Sequence, residues 1–174
     1  AVNVSIHTLN DVGIADEITG IVRHHGVPPG CIVLEVTESA AATDIGRVLE
    51  NLARLRMKGF ELSIDDYGTG YSSLEQLMRI PFTELKIDQS FVMNAQRNNS
   101  AKVILASTLG LARRLRLRVV AEGVETKASW DLLRELKCDI AQGYYVSRPL
   151  GSAAYREWLD SWAQAHARSS TAVH

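Results

Sequence analysis

No stretch of this 174-residue sequence approaches the ~20 consecutive apolar residues that a membrane-spanning helix needs. The N-terminus carries no basic segment followed by an apolar one, so no secretory signal is visible, and it has no initiator Met. It opens directly on "AVNVSI", already strand-like, which leads us to expect a piece of a longer chain. Cysteine is scarce. Cys31 and Cys138 are far apart and share no CxxC-type spacing, so the expectation is two free thiols in a reducing cytoplasm. An excess of charge is also missing: a formal net charge of -1 argues against a broad electrostatic footprint for DNA or an anionic membrane. Neither an internal repeat nor a low-complexity segment is apparent. What remains, at 46% hydrophobic and 22% charged, is ordinary globular composition, with enough chain for one domain and a sizeable core.

Short apolar runs alternate with amphipathic stretches. The strand candidates are "AVNVSI" (1–6), "CIVLEV" (31–36), "FELSID" (60–65), "ELKID" (84–88), "LRVVAEG" (117–123) and "IAQGYYV" (140–146). Several are apolar with little alternation, as parallel strands covered on both faces are. Between them, Ile14, Ile18, Ile21 and Val22 form one helical stripe ended by Gly26, and Ile45, Val48, Leu49 and Leu52 form another ended near Gly59. Ser72 and Glu75 make a capping box. Ile104, Leu105, Leu109 and Leu111 mark a helix after "RNNS"; Trp130, Leu133 and Leu136 mark the next. Tyr155, Trp158, Leu159 and Trp162 mark the last, before a frayed end in "ARSSTAVH". This β-α alternation predicts an α/β fold on a parallel sheet, open or closed into a barrel. The candidates number six, where a closed (β/α) barrel uses eight.

Polar residues gather at the C-terminal ends of these strands. Asn3 lies in the first, Glu35 and Glu38 at the second, and Asp65 and Asp66 close the third in "IDDYGTGYSS". Lys86 and Asp88 fall in the fourth, Glu122 and Glu125 at the fifth, Gln142 in the sixth. In a parallel sheet or barrel these ends share one face, where active sites are built. Two adjacent aspartates repel, so one must take up a proton or both must meet a cation. Carboxylates and an amide oxygen, with no Cys or His among them, make a hard oxygen-donor set that suits Mg²⁺ or Mn²⁺ better than Zn²⁺. Two ions sharing a bridging carboxylate would balance the charge and assist in-line attack at phosphorus.

Plainer readings stand beside these. An acid at a strand end often caps a helix or charges a surface. Lys86 can snorkel at a rim, Glu125 can cap the helix starting near Thr126, and Gly68 and Gly70 can serve turn geometry alone. His24 and His25 near a helix C-terminus fit the dipole there. Recurrence at consecutive strand ends favours a site, as does the amide of Asn3 within an apolar strand.

The stretches "VNVS", "LEVTES", "IDDYGTGYSSL", "LKIDQSFV", "VVAEGVET" and "AQGYYVSRPL" resemble, in order and spacing, those of the EAL domain family. The resemblance runs from Ala1 to about Leu150. It implies a TIM-like (β/α) barrel, here with about six of eight strands, and bacterial phosphodiesterase activity that linearises cyclic di-GMP to pGpG. By that resemblance Asn3, Glu35 and Asp65 bind a first metal ion and Asp65, Asp66 and Glu122 a second. Lys86 holds and helps activate the attacking water. Glu38 anchors the "DYGTGYSS" loop, which couples metal site and dimer contact. Gln142, Arg148 and Pro149 face the substrate, while Asp88 and Glu125 support the ligands. The implied partners are cyclic di-GMP, a second copy in a homodimer, and a regulatory domain N-terminal to Ala1; neither DNA nor a membrane segment is expected.

The sequence also departs from the family pattern. Tyr67 stands where Phe is usual and Gln89 where Arg is common. The Glu-Ala-Leu tripeptide that names the family, whose Glu is a ligand of the first metal, does not occur. Roughly the first third of a family domain is thus expected to be missing, leaving a partial domain over 1–163 and a flexible tail over 164–174, inactive alone. The alternatives are a cyclic di-GMP-binding or protein-interaction module without catalysis, and an unrelated metal-dependent hydrolase on a barrel.

Overall fold

A computed structural model describes residues 1–37, 45–68 and 74–170. The elements follow in the order β1 (Val2–Asn3), α1 (Ile6–Leu9), α2 (Ile14–His24), a 3-10 turn (Pro29–Cys31), β2 (Val33–Thr37), α3 (Ile45–Met57) and β3 (Glu61–Tyr67). The chain continues through α4 (Leu74–Arg79), β4 (Glu84–Ile87), α5 (Gln89–Asn94), α6 (Asn99–Arg114), β5 (Arg118–Ala121), α7 (Lys127–Glu135), β6 (Ile140–Ala141) and α8 (Ser152–Ser170).

The six strands lie side by side in sequence order, and every pairing is parallel. This is a sector of a (β/α) barrel. All strands point the same way, so their C-terminal ends form one rim. Leu34, Val36, Leu62, Ile64, Leu85 and Val119 of the central strands are buried, and Leu52, Leu55, Leu105 and Leu109 close over them from the helices. Burying each such side chain contributes roughly 1.5–3 kcal/mol before the entropy of ordering is subtracted.

Local chemistry sets the element ends. Asp16 and Glu17 occupy the first turn of α2 and Arg23 and His24 the last, in accord with the helix dipole. Gly26, at φ 65°, ends that helix as its position in the sequence predicts. Asn98 caps α6 by accepting from the Ser100 N–H at 2.8 Å, and Thr126 caps α7 by accepting from Ser129 N–H at 3.1 Å.

Several boundaries differ from the sequence expectation. The first strand keeps only Val2–Asn3, because Ser5 caps α1 by accepting from Thr8 N–H. The last keeps only Ile140–Ala141, because Val146 N–H turns back to the Gly143 carbonyl. The third runs on to Tyr67, through a register shift between Ile64 and Tyr67. α8 continues to Ser170, past the boundary at 163; the alanines of "AQAHAR" favour helix over a tail. The capping box of Ser72 with Glu75 lies outside the described residues and side chains. Both cysteines are free, and no described helix is long and apolar enough to cross a membrane.

Candidate metal centre

Backbone register brings the polar strand ends together. Asn3 pairs with Glu35, and Thr37 with Asp65 one strand further on. Lys86 sits opposite Val120, and the Glu122 N–H donates to the Ile87 carbonyl at 3.1 Å, which holds Glu122 at the end of β4. In a regular strand, neighbouring side chains point to opposite faces. Asp66 escapes that rule because it takes a left-handed backbone, φ 56°, at the register shift of β3. Its carboxylate therefore joins those of Asp65 and Glu122, one oxygen of each lying within 4.8 Å of the others.

Lys86 is the cation at the centre. It is 6% exposed. Its Nζ lies 2.8 Å from Asp65 Oδ1, 2.8 Å from Glu122 Oε1 and 3.2 Å from Glu35 Oε1. Burial alone would push the ammonium towards neutrality, but its hydrogen bonds to Asp65 and Glu122 outweigh that and raise its pKa well above 10.5. Burial also raises the Glu122 carboxyl above its ordinary 4.5; Lys86 opposes the shift, and the charges of Asp65 and Asp66 add to it. Ser63, two residues before Asp65 on the same strand face, has a buried Oγ with no partner among the described residues. Polar character therefore reaches one layer below the rim.

Outward from this cluster lies an open cleft of about 320 Å³, whose walls include Asp66, Asp88, Glu122, Glu125 and Gln142. Asp88 also works structurally, capping α5 by accepting from Ser90 N–H at 2.9 Å. Arg148 and Pro149 line an adjoining groove of about 360 Å³. Tyr144 borders both spaces, and the Arg148 guanidinium rests 4.5 Å above its ring. Sequence reasoning passed over Tyr144; its signal was an aromatic two residues beyond Gln142, after an apolar strand. Glu38 lies outside the described residues, as does most of the loop it is expected to anchor.

The donor set fits a hard divalent cation. Asp65, Asp66 and Glu122 offer converging carboxylate oxygens without sulfur or imidazole, the preference of Mg²⁺, Mn²⁺ or Ca²⁺. Glu35 reaches the same point through Lys86, and Asn3 stands beside Glu35 on the neighbouring strand.

The EAL domain family matches residues 1–149. Cyclic di-GMP phosphodiesterase NbdA of Pseudomonas aeruginosa is 41% identical over 162 residues, covering 93% of this chain and 21% of NbdA. The chain thus spans about a fifth of that relative's length. The structure of the PaMucR phosphodiesterase in complex with c-di-GMP superposes with a TM-score of 0.82 at 38% identity, over 88% of this chain and 62% of that one. The calcium and cy-diGMP complex of Klebsiella pneumoniae BlrP1 superposes with a TM-score of 0.79 at 30% identity, over 84% of this chain and 38% of that one. The partial barrel, its rim of carboxylates and these matches together establish that the chain belongs to the EAL domain family.

Proposed function

We propose that the protein containing these residues hydrolyses one phosphodiester bond of cyclic di-GMP, giving linear pGpG. The observation that carries this reading is the convergence of Glu35, Asp65, Asp66 and Glu122 around Lys86 at the strand ends, in a family whose relatives include named cyclic di-GMP phosphodiesterases. Asn3, Glu35 and Asp65 would hold one Mg²⁺ or Mn²⁺ ion, and Asp65, Asp66 and Glu122 a second. Such ions supply Lewis acidity at the phosphoryl oxygens and lower the pKa of water. Lys86 donates to the attacking water and fixes its approach, while Glu35, Asp65 and Glu122 hold the ammonium in place. Its hydrogen bonds to Asp65 and Glu122 favour the charged ammonium, which would hold the attacking water and help activate it. Gln142, Arg148 and Pro149 hold the nucleotide beyond the cleft; Asp88 and Glu125 support its wall. A homodimer organised by Glu38 and the loop of residues 67–73, and an N-terminal regulatory domain, belong to the same proposal.

A second reading is a cyclic di-GMP-binding module without turnover, in which the groove bordered by Tyr144, Arg148 and Pro149 holds the nucleotide and no bond is cut. Incubating the intact protein with cyclic di-GMP and Mg²⁺ or Mn²⁺ decides between them. Formation of pGpG supports hydrolysis; saturable nucleotide binding without pGpG supports the module. Ca²⁺ is expected to inhibit, because its longer bonds and looser coordination misplace the phosphate.

A further inference from the structure

Two turns that leave the ligand-bearing strands end in glycines pressed against one short helix. Gly68 follows Asp66 by two positions, at φ 102°, and a Cβ there would lie 2.7 Å from the Phe91 ring. Gly123 follows Glu122 directly, at φ 64°, and a Cβ there would lie 2.3 Å from Gln89 Cβ and 3.1 Å from Gln89 Cα. Gln89 and Phe91 both belong to α5. That helix is held at its start by the Asp88 cap and in the core by Val92, which is 1% exposed. Asp88 comes two residues after Lys86 on the same chain. One helix of six residues therefore abuts the turn after β3 and the turn after β5, and continues the strand that carries Lys86.

A left-handed backbone alone would admit Asn or Asp as well as Gly. The packing distance is the stricter demand. At Gly123 the facing atoms are the Cα and Cβ of a helical residue, which cannot swing aside, whereas the Phe91 ring edge facing Gly68 can give a little. Three carboxylates gathered within 4.8 Å repel one another. Lys86 attracts from below, but something must also fix how far apart the two turns stand.

We infer that α5 is a positioning strut for the metal centre: Gln89, bearing on Gly123, and Phe91, bearing on Gly68, set the separation between Glu122 and the Asp65–Asp66 pair. Neither residue belongs to the carboxylate cluster. The inference rests on the metal-binding reading proposed above. It distinguishes Gln89→Ala, which keeps the Cβ contact, from Gln89→Gly, which removes it; Gln89 is exposed, so both variants should fold.

The test is Mn²⁺ titration calorimetry on the intact protein, with urea denaturation in chelator alongside. Gln89→Gly is expected to weaken Mn²⁺ binding about tenfold, the scale of lost outer-shell support, while Gln89→Ala stays within about threefold of wild type. Gly123→Ala should also weaken binding, and Gln89→Gly in the same chain should restore part of the loss by relieving the clash. If Gly123→Ala fails to fold, the Gln89 pair carries the test. Equal Mn²⁺ affinity for Gln89→Ala and Gln89→Gly overturns the strut. A wild-type chain that binds no Mn²⁺ counts against the metal reading instead. The strut is then judged in chelator, where non-additive effects of Gly123→Ala and Gln89→Gly on the urea midpoint support it and additive effects overturn it.

Discussion

Lys86 brings one positive charge to three carboxylates in a site almost closed to water, with its side chain 7% exposed. Removing one partner of a buried ion cluster leaves the others uncompensated. Lys86→Met should therefore cost about 3 kcal/mol or more in chelator, read by urea denaturation, with Mn²⁺ recovering much of the loss. An unchanged midpoint would contradict that role. The raised pKa of Lys86 means that its stabilising contribution is complete below 10.5 and is lost only as pH climbs through the higher folded value. Glu122 shifts stability with pH in the same direction but in the acid range. Its folded pKa is raised above 4.5, so the folded state binds its proton more readily, and this residue's contribution to stability declines as pH rises through that window. Metal uptake needs the carboxylate, so Mn²⁺ affinity should begin to fall, on acidification, at a higher pH than a free glutamate dictates. Glu122→Gln should weaken Mn²⁺ binding at every pH and flatten its dependence on pH across that window, read by calorimetry; the same affinity and the same onset in both proteins would count against it. These residues were legible in the sequence because polar side chains recur at consecutive strand ends, a recurrence that capping or surface charge at any one of them does not explain. Tyr144 and Gly123 were not, because their significance lies in contacts made across the fold.

Elements obey rules that the sequence states only in part. The stripe of Ile104, Leu105 and Leu109 identifies α6, yet only Leu105 and Leu109 face the sheet; Ile104 is 48% exposed. Leu109→Ala should thus cost about 2–5 kcal/mol in urea unfolding and Ile104→Ala less than about 0.5, a contrast that helical periodicity alone does not give. Similar costs for both would place α6 in a different rotation. Strand order and direction were legible from the β-α alternation, because parallel strands need helical crossovers. Strand lengths were not, since Ser5 and the turn at Gly143 end β1 and β6 through local hydrogen bonds. The register shift in β3 was also hidden: it places adjacent aspartates in one site, and nothing in "IDDYG" beyond its glycine announces a bulge. α5 went unread too, six residues being too few for a helical period to show.

In the whole molecule, β1 pairs only with β2 and β6 only with β5 among the described residues, so the sheet has two open edges. Tyr155 of α8, which borders a groove with Ala141 of β6, is 49% exposed, and Leu159 one turn further along α8 is 44% exposed. Open parallel edges and an uncovered apolar helix favour association between copies, so light scattering of this chain should rise with concentration unless further chain covers them. By the family resemblance, one metal ligand is the Glu of the Glu-Ala-Leu tripeptide, which does not occur in these residues. Loss of one metal-ligating carboxylate should lower cyclic di-GMP turnover by about a hundredfold or more relative to a longer protein that supplies it. Comparable rates from the two would show that the residues present suffice. The account turns on Asp65, which meets Lys86 at 2.8 Å and shares the acidic cluster with Asp66 and Glu122. Its most direct test is chromatographic measurement of pGpG formed from cyclic di-GMP by the intact protein and by its Asp65→Asn variant, at saturating Mg²⁺ or Mn²⁺. The account predicts steady pGpG from the first and none above background from the second, with circular dichroism showing both folded; metal-dependent pGpG formation by Asp65→Asn would contradict it.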